Sequence, residues 1–297
     1  MDYVPLRSLM QEADLPQVAA AIERVARPTI RIRQAGADGI LPPGGSKLGG
    51  LPDLPPGWEW PQWNGLPQSF LAQFNLAEVA PFDVEGLLPR AGLLAFFYDC
   101  EQAVSGITPS DRGAWSVLYV TEDDLPQVAP RPTPPDLPDR ARFRACPVEF
   151  APAVTLSSSP THLGPLPAYQ DEPGDLLHTW EEQQRYYDVQ RAVEQQYALT
   201  YPRHQLLGHA YPQQHEDMEW ECQYFANGLS FLDRDTRAQY DAALRPGAGQ
   251  WRLLCQIDSD DDTGMMWGDA GLLYFWIKQE DLLARRFDQV WMMLQCG

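Results

Sequence analysis

The chain has 297 residues, 44% of them hydrophobic and 11% aromatic, and a formal charge of −19. That supplies a sizeable core but excludes a nucleic-acid footprint, which needs clustered cations to displace counterions, and it disfavours an anionic membrane surface. No run reaches the ~18 apolar residues of a membrane span, and the first residues lack a signal-peptide layout. The five cysteines (Cys100, Cys146, Cys222, Cys255, Cys296) are scattered, with no Cys-x-x-Cys pair, which predicts free thiols in a reducing cytoplasm.

Residues 1–27 are predicted helical, with Leu15, Val18, Ile22 and Val25 at helical spacing, Asp14 as N-cap and Pro16 in the first turn. Pro28 ends the segment, and Thr29–Arg33 alternates as a strand does. A Gly/Pro loop is expected over 35–57. Phe70–Leu76 reads as a strand, with Phe70, Ala72, Phe74 and Leu76 on one face and Leu71, Gln73 and Asn75 on the other. Leu93–Tyr98 is apolar on both faces and belongs in the middle of a covered sheet. Residues 121–145 are proline-rich and read as an exposed connector. Val148–Leu156 reads as a strand, and residues 174–197 as the longest helix, with Tyr186, Val189, Val193 and Tyr197 in one stripe. Asp217–Glu221 fits either a strand edge or a solvated helix face. Trp251–Asp258 and Leu272–Ile277 repeat the strand patterns of the first half, and Asp281–Phe287 reads as a short helix before a last strand.

These later strands echo the earlier ones in order. Leu48-Gly-Gly-Leu-Pro52 resembles Leu207-Gly-His-Ala-Tyr-Pro212, Phe70–Leu76 resembles Leu253–Ser259, Gly92–Tyr98 resembles Gly271–Ile277, and Ala114–Tyr119 resembles Val290–Gln295, at offsets of 159, 183, 179 and 176 residues. The expected architecture is α+β and β-rich. Two related, mainly antiparallel strand units from an internal duplication pack as one compact body with a few peripheral helices. The repeats span approximately 28–120 and 146–297 of a single domain over 1–297, joined by the connector 121–145.

Recognisable catalytic motifs are missing: there is no Gly-x-Ser-x-Gly elbow, no Gly-x-Gly-x-x-Gly fingerprint and no phosphate loop, since Gly44–Gly50 lacks the Gly-Lys-Ser/Thr order. His215-Glu-Asp-Met-Glu219 starts like a zinc-peptidase helix but ends in Glu, and the five histidines (His162, His178, His204, His209, His215) are dispersed. Three features could carry function. In the acidic loop, Asp258, Asp260, Asp262 and Asp269 stand at positions 1, 3, 5 and 12, the spacing of a calcium loop, although Thr263 replaces the glycine of the sharp turn. Its alternatives are a divalent-cation site and a solvated hairpin loop. The polar pairs Gln73/Asn75 and Gln256/Asp258 occupy matching strand positions. They either line a polar pocket at the junction of the repeats or bond the neighbouring Leu-Gly loops. The tryptophans Trp58, Trp60, Trp63 and Trp267 either mark a binding surface or cap a core.

Ser46–Pro55, Phe70–Leu76, Gly92–Asp99, His204–His209, Gln256–Asp260, Trp267–Trp276 and Phe287–Cys296 together resemble the YwqG-like family over roughly residues 28–297. The resemblance implies a bacterial, largely cytosolic β-rich domain of unknown function and transfers no catalytic residue. The expected function is a non-catalytic module that binds a protein or small ligand near the junction of the repeats, with Gln73, Asn75, Gln256, Asp258 and Trp267 as candidate contacts, no nucleic-acid or membrane partner and no cofactor. The alternatives are a metal-assisted hydrolase or calcium-binding protein built on loop 258–269, and a purely fold-holding role for the loop and the polar pairs.

Overall fold

The computed structural model describes residues 4–15, 18–35, 41–158, 177, 179–230 and 234–297. Two helices, α1 (Val4–Glu12) and α2 (Ala19–Val25), lead into strand β1 (Arg27–Gln34). Short strands β2 (Lys47–Leu48), β3 (Asp53–Leu54), β4 (Gln62–Trp63) and β5 (Leu66–Pro67) precede β6 (Ser69–Asn75), the helical turn α3 (Leu76–Val79), β7 (Leu93–Tyr98) and β8 (Trp115–Val120). Then come β9 (Ala129–Pro130), β10 (Cys146–Thr155), α4 (Trp180–Gln196), β11 (Gln205–Leu206), α5 (Met218–Ala226) and α6 (Arg234–Ala248). The chain ends with β12 (Trp251–Asp258), β13 (Leu272–Lys278), α7 (Gln279–Leu283) and β14 (Trp291–Gln295).

Ten of the strands form one antiparallel sheet, in the order β14-β13-β12-β11-β1-β10-β2-β6-β7-β8. Its long central ladder is β1 against β10, from Arg27–Thr155 to Gln34–Val148. Each of these two strands reaches outward to the other's sequence neighbour: β1 pairs with β11, and β10 with β2. The sheet therefore has a first arm, β10-β2-β6-β7-β8, and a second arm, β1-β11-β12-β13-β14.

The outermost strands, β8 and β14, are drawn nearly together, so the sheet is almost a barrel. Trp115 Nε1 donates to Val290 O at 2.9 Å, Trp291 Nε1 to Gly106 O at 2.8 Å, and the two indoles meet edge to face at 5.1 Å. Leu294 N donates to Ser105 O at 3.0 Å. Gly106 permits this approach: it has φ of +77°, and a Cβ there would lie 1.8 Å from Met292 O. Covering the edges in this way hides backbone groups that would otherwise recruit another strand. Inside, Phe96 of β7 meets Phe275 of β13 at 5.1 Å, and one cluster of buried side chains draws on both arms. Strand β7 and residues 272–277 of β13 are apolar throughout and buried along their length, with half-buried Lys278 ending β13, as strands covered on both faces must be.

A second cluster lies outside the sheet, where Leu6, Met10, Ile22, Val25, Tyr186, Val189 and Val193 meet Val154 and Leu156. This is the predicted stripe of α4, and α4 starts at a capping box in which Thr179 Oγ1 accepts from Glu182 N at 3.1 Å.

Several expectations need correction. Asp14 is not a helix cap: it has φ of +57° and pairs with Arg185, and α2 starts only at Ala19. Pro16 and Gln17 lie outside the described residues, as do His162, His178 and residues 174–176 of the predicted long helix. The proline-rich stretch is not a free connector, because it buries Val128, Leu137, Ala141 and Phe143 and pairs β9 with β3. Asp217–Glu221 opens helix α5, whose Met218, Trp220 and Cys222 are buried. The ladder register also shifts two of the four sequence matches by one residue. Leu48 pairs with Ala72 as Leu206 pairs with Cys255, an offset of 158, and Ser116 pairs with Phe97 as Trp291 pairs with Trp276, an offset of 175. Between them, β6 and β12 each carry one extra residue, Leu71 and Leu254, at corresponding positions.

Candidate functional site

The two glutamines clip corresponding turns. Gln73 Oε1 accepts from Asp53 N at 2.9 Å, and its Nε2 donates to Gly45 O at 2.9 Å. Gln256 Oε1 accepts from Tyr211 N at 2.9 Å, and its Nε2 donates to Arg203 O at 2.7 Å. Both side chains are fully buried, and each pins the residues two before and six after the first residue of a short strand, Lys47 of β2 or Gln205 of β11. Those turns need pinning because each contains two successive left-handed residues, Gly49/Gly50 and Leu207/Gly208. Gly208 is held close: a Cβ there would lie 2.6 Å from Thr29 Cβ and 2.7 Å from Thr155 Oγ1.

The residues two further on are also matched. Asn75 N donates to Ser46 Oγ at 2.8 Å, and Asp258 N donates to His204 Nδ1 at 3.1 Å. The Asn75 side chain donates to Gly44 O and caps α3 through Ala77 N, whereas Asp258 Oδ2 accepts from Arg203 N at 2.6 Å. Burial raises the Asp258 pKa above the ordinary carboxylate value, against the opposing pull of its hydrogen bond from Arg203 N and the nearby His204.

The acidic loop turns its carboxylates to different tasks. Asp260 is buried and takes His204 Nε2 at 3.2 Å, Gln34 Nε2 at 2.5 Å and the Asp262 N–H at 2.9 Å. Since His204 Nδ1 accepts a backbone N–H, the Nε2 carries the proton and faces Asp260, so both ring nitrogens are engaged. Burial opposes the Asp260 charge, but these donors hold its carboxyl below the ordinary value. Asp262 and Asp269 are exposed, and the carbonyls of Asp261, Asp262 and Thr263 receive Arg144. Asp258, Asp260, Asp262 and Asp269 are thus not gathered round one point. Among the described residues, no three His, Cys, Asp or Glu side chains stand together as a metal-holding group. Trp267 lies inside the core, edge-on to Phe143 at 5.4 Å and Tyr98 at 6.1 Å. Trp58, Trp60 and Trp63 are half-buried and pack against core clusters under their loop.

A shallow cleft lies where β1, the end of β10, the segment entering β11 and helix α4 come together. It is thus at the junction of the two arms. Val154, Leu156, Val193 and Leu199 give it apolar walls, and Arg31, Arg203, Glu194, His209 and Tyr211 supply its polar groups. The Arg203 guanidinium carbon lies over the Tyr211 ring, 3.6 Å from its centre, and 5.2 Å from that of Tyr201. Its Nη2 donates to Glu194 at 2.9 Å, while its Nε has no hydrogen-bond partner among the described residues. Burial works against the Arg203 charge, but Glu194 outweighs it and the pKa stands above the ordinary value. Burial, with the Tyr201 hydroxyl, pushes the Tyr211 phenol up to about 12. Arg31 gives one nitrogen to Tyr197 O at 2.9 Å and has no ion-pair partner among the described residues. Burial, then Arg33, lowers its pKa, against the opposing pull of Glu149.

None of Gln73, Asn75, Gln256, Asp258 or Trp267 lines this cleft. Gln256 and Asp258 stand directly behind it instead, holding the backbone of Arg203 and Tyr211. Arg31, Arg203, Glu194, His209 and Tyr211 belong to no motif that marks them as a site in the sequence. A signal existed for Arg31: Thr29, Arg31 and Arg33 share one strand face in a very acidic chain.

No curated protein matches the chain. A family model does match, over residues 46–296, and covers β2 through β14 while leaving β1 and its Arg31 outside. The chain therefore belongs to the family described as Domain of unknown function (DUF1963).

Proposed function

We propose that this protein is a non-catalytic binding module whose small ligand sits in the cleft between α4 and the junction of the two arms. The observation that carries this reading is the Arg203 side chain. It packs on the Tyr211 ring, is held by Glu194, and keeps a buried Nε with no partner among the described residues, at a position that lines a cleft with apolar walls. Ligand sites commonly combine an apolar concavity with a few placed polar groups. A binding role is favoured over a reacting one because the titratable side chains nearby are already engaged. Glu194 is paired with Arg203, His209 Nε2 contacts Val25 O at 2.6 Å, and the His204 ring is turned to Asp260.

Three finer readings accompany this one. The corresponding bulges, glutamine clips and strand orders of the arms support an internal duplication. The motif set supports a YwqG-like bacterial member of the family. Five unpaired cysteines support a reducing, cytoplasmic setting.

The functional reading is tested by a thermal-shift screen of small metabolites on wild type and on Thr200→Trp, which places a bulky ring at an exposed lining position of the cleft. A compound that stabilises wild type but not the variant is expected. Equal shifts in both, or none in wild type, would overturn the reading.

A further inference from the structure

The charge and shape of the cleft narrow its ligand, on the assumption that the cleft is the binding site. Arg31 and Arg203 bring two positive charges and Glu194 one negative, in a molecule whose overall charge is −19. The local excess of one cation suits a single negative charge. A doubly charged phosphate would leave one charge uncompensated and would meet the repulsion of the whole molecule. Guanidinium groups bind carboxylates through parallel N–H donors. Arg203 has a buried, unpartnered Nε beside the Nη2 that holds Glu194, so a carboxylate that draws the side chain toward the cleft would satisfy it, and Arg31 has a single described hydrogen bond, to a carbonyl. The remaining walls, Val154, Leu156, Val193 and Leu199, suit a short hydrocarbon body.

We infer that the cleft binds a small monocarboxylic acid with a short branched or straight apolar chain, its carboxylate held between Arg31 and Arg203. Glu194 is then the internal competitor. It occupies Arg203 in the empty cleft, keeps its charge in place, and yields part of that guanidinium to the incoming carboxylate.

The test is calorimetric titration of the full chain with isovalerate, with its neutral amide isovaleramide, and with inorganic phosphate. Isovalerate is expected to bind, at least tenfold more tightly than either of the others, and to weaken as salt is raised. Arg31→Met and Arg203→Lys should each weaken it tenfold or more, the latter because lysine keeps the charge and loses the planar fork. Glu194→Gln should tighten it severalfold. If acid and amide bind alike, and Thr200→Trp abolishes both, the cleft stands as a binding site but the carboxylate assignment falls. Preference for phosphate also overturns the assignment. Isovalerate binding that survives Thr200→Trp overturns the assignment and the site together.

Discussion

The two arms solve one problem with corresponding strand pairings and different side chains. In the first arm, the place next to Gln73 on the ladder is Lys47, and the residue whose N–H Gln73 caps is Asp53. Lys47 Nζ lies 2.8 Å from Asp53 Oδ2, with side chains 7% and 0% exposed, and the same oxygen takes Gly44 N and Gln73 Nε2. In the second arm, Gln205 and Tyr211 stand in those places. Gln205 is spent on the carbonyls of Leu207 and His209, and Tyr211 turns its face to Arg203. One arm closes its turn with a buried ion pair, and the other leaves an aromatic shelf facing a cleft. The difference teaches that a clipped turn is the common structural device, and that function is to be sought where the clip carries something else.

The sharpest way to break this comparison is to remove the ion pair. Lys47→Met leaves the Asp53 carboxylate buried with only neutral donors, and its Oδ1 already has no partner among the described residues. Breaking a buried pair by deleting one member costs about 3–5 kcal/mol. Urea unfolding should register a loss of that size. Gln205→Met, at the corresponding place, removes only neutral hydrogen bonds and should cost about 1 kcal/mol. Equal losses would mean that the ion pair has no special part in the first arm.

The glutamines come next in size. Each of Gln73→Leu and Gln256→Leu strands buried backbone groups in its turn, at about 1–3 kcal/mol. Stability alone should not tell them apart, but ligand response should. Gln256 holds the carbonyl of Arg203 and the N–H of Tyr211, so its loss should weaken binding in the cleft. Gln73 touches no cleft residue through its described bonds, and its loss should leave binding unchanged. A Gln73 variant that folds and loses binding would break the assignment of function to the second arm.

The seam between the arms sharpens the comparison by a smaller amount. Trp115→Phe and Trp291→Phe each remove one indole donor, from Val290 O and Gly106 O respectively. Each should cost about 1 kcal/mol. Because the rings touch, the double variant should depart from the sum of the singles. Strict additivity in a double-mutant cycle would mean that the two edges are closed independently.

Much of this was legible in the sequence because it is local. The alternation in Phe70–Leu76 and Trp251–Asp258, the all-apolar β7 and residues 272–277 of β13, and the stripe of α4 each announce their own burial. The matched glutamines were also visible, together with the reading in which they bond the adjacent turns. What escaped depends on contacts between distant residues. Nothing in Thr29–Arg33 says that β1 crosses to the second arm, and that crossing is what brings Arg31 beside Arg203. The proline-rich stretch looked free because prolines cannot donate to a ladder. Its anchoring instead rests on Leu137, Ala141 and Phe143, three side chains with no periodicity. Helix α6 is likewise hard to read from its sequence, because a proline lies inside it. The acidic loop had the spacing of a cation site, but spacing along a chain does not fix direction, and Asp260 turns toward His204 while Asp262 and Asp269 face solvent.

The smallest expected effect concerns Asp258, which stands where the first arm has Asn75. Burial raises the Asp258 pKa above its ordinary 3.8, so ionising it works against folding. Its contribution is fully present below the unfolded value and is lost as pH rises through the folded one. Asp260, two residues on, has a lowered pKa and the opposite sign: its contribution is present above the unfolded value and is lost as pH falls through the folded one. Asparagine at 258 keeps an oxygen for Arg203 N and never ionises, as Asn75 never does. Asp258→Asn should therefore gain stability relative to wild type as pH is raised from 3 to 7, and Asp260→Asn should lose it over the same range. Unfolding curves at the two pH values decide the matter by sign alone. If Asp258→Asn instead lost stability relative to wild type between pH 3 and pH 7, the buried charge would be favourable, and the second arm would hold its carboxylate for a reason that the Asn75 position does not share.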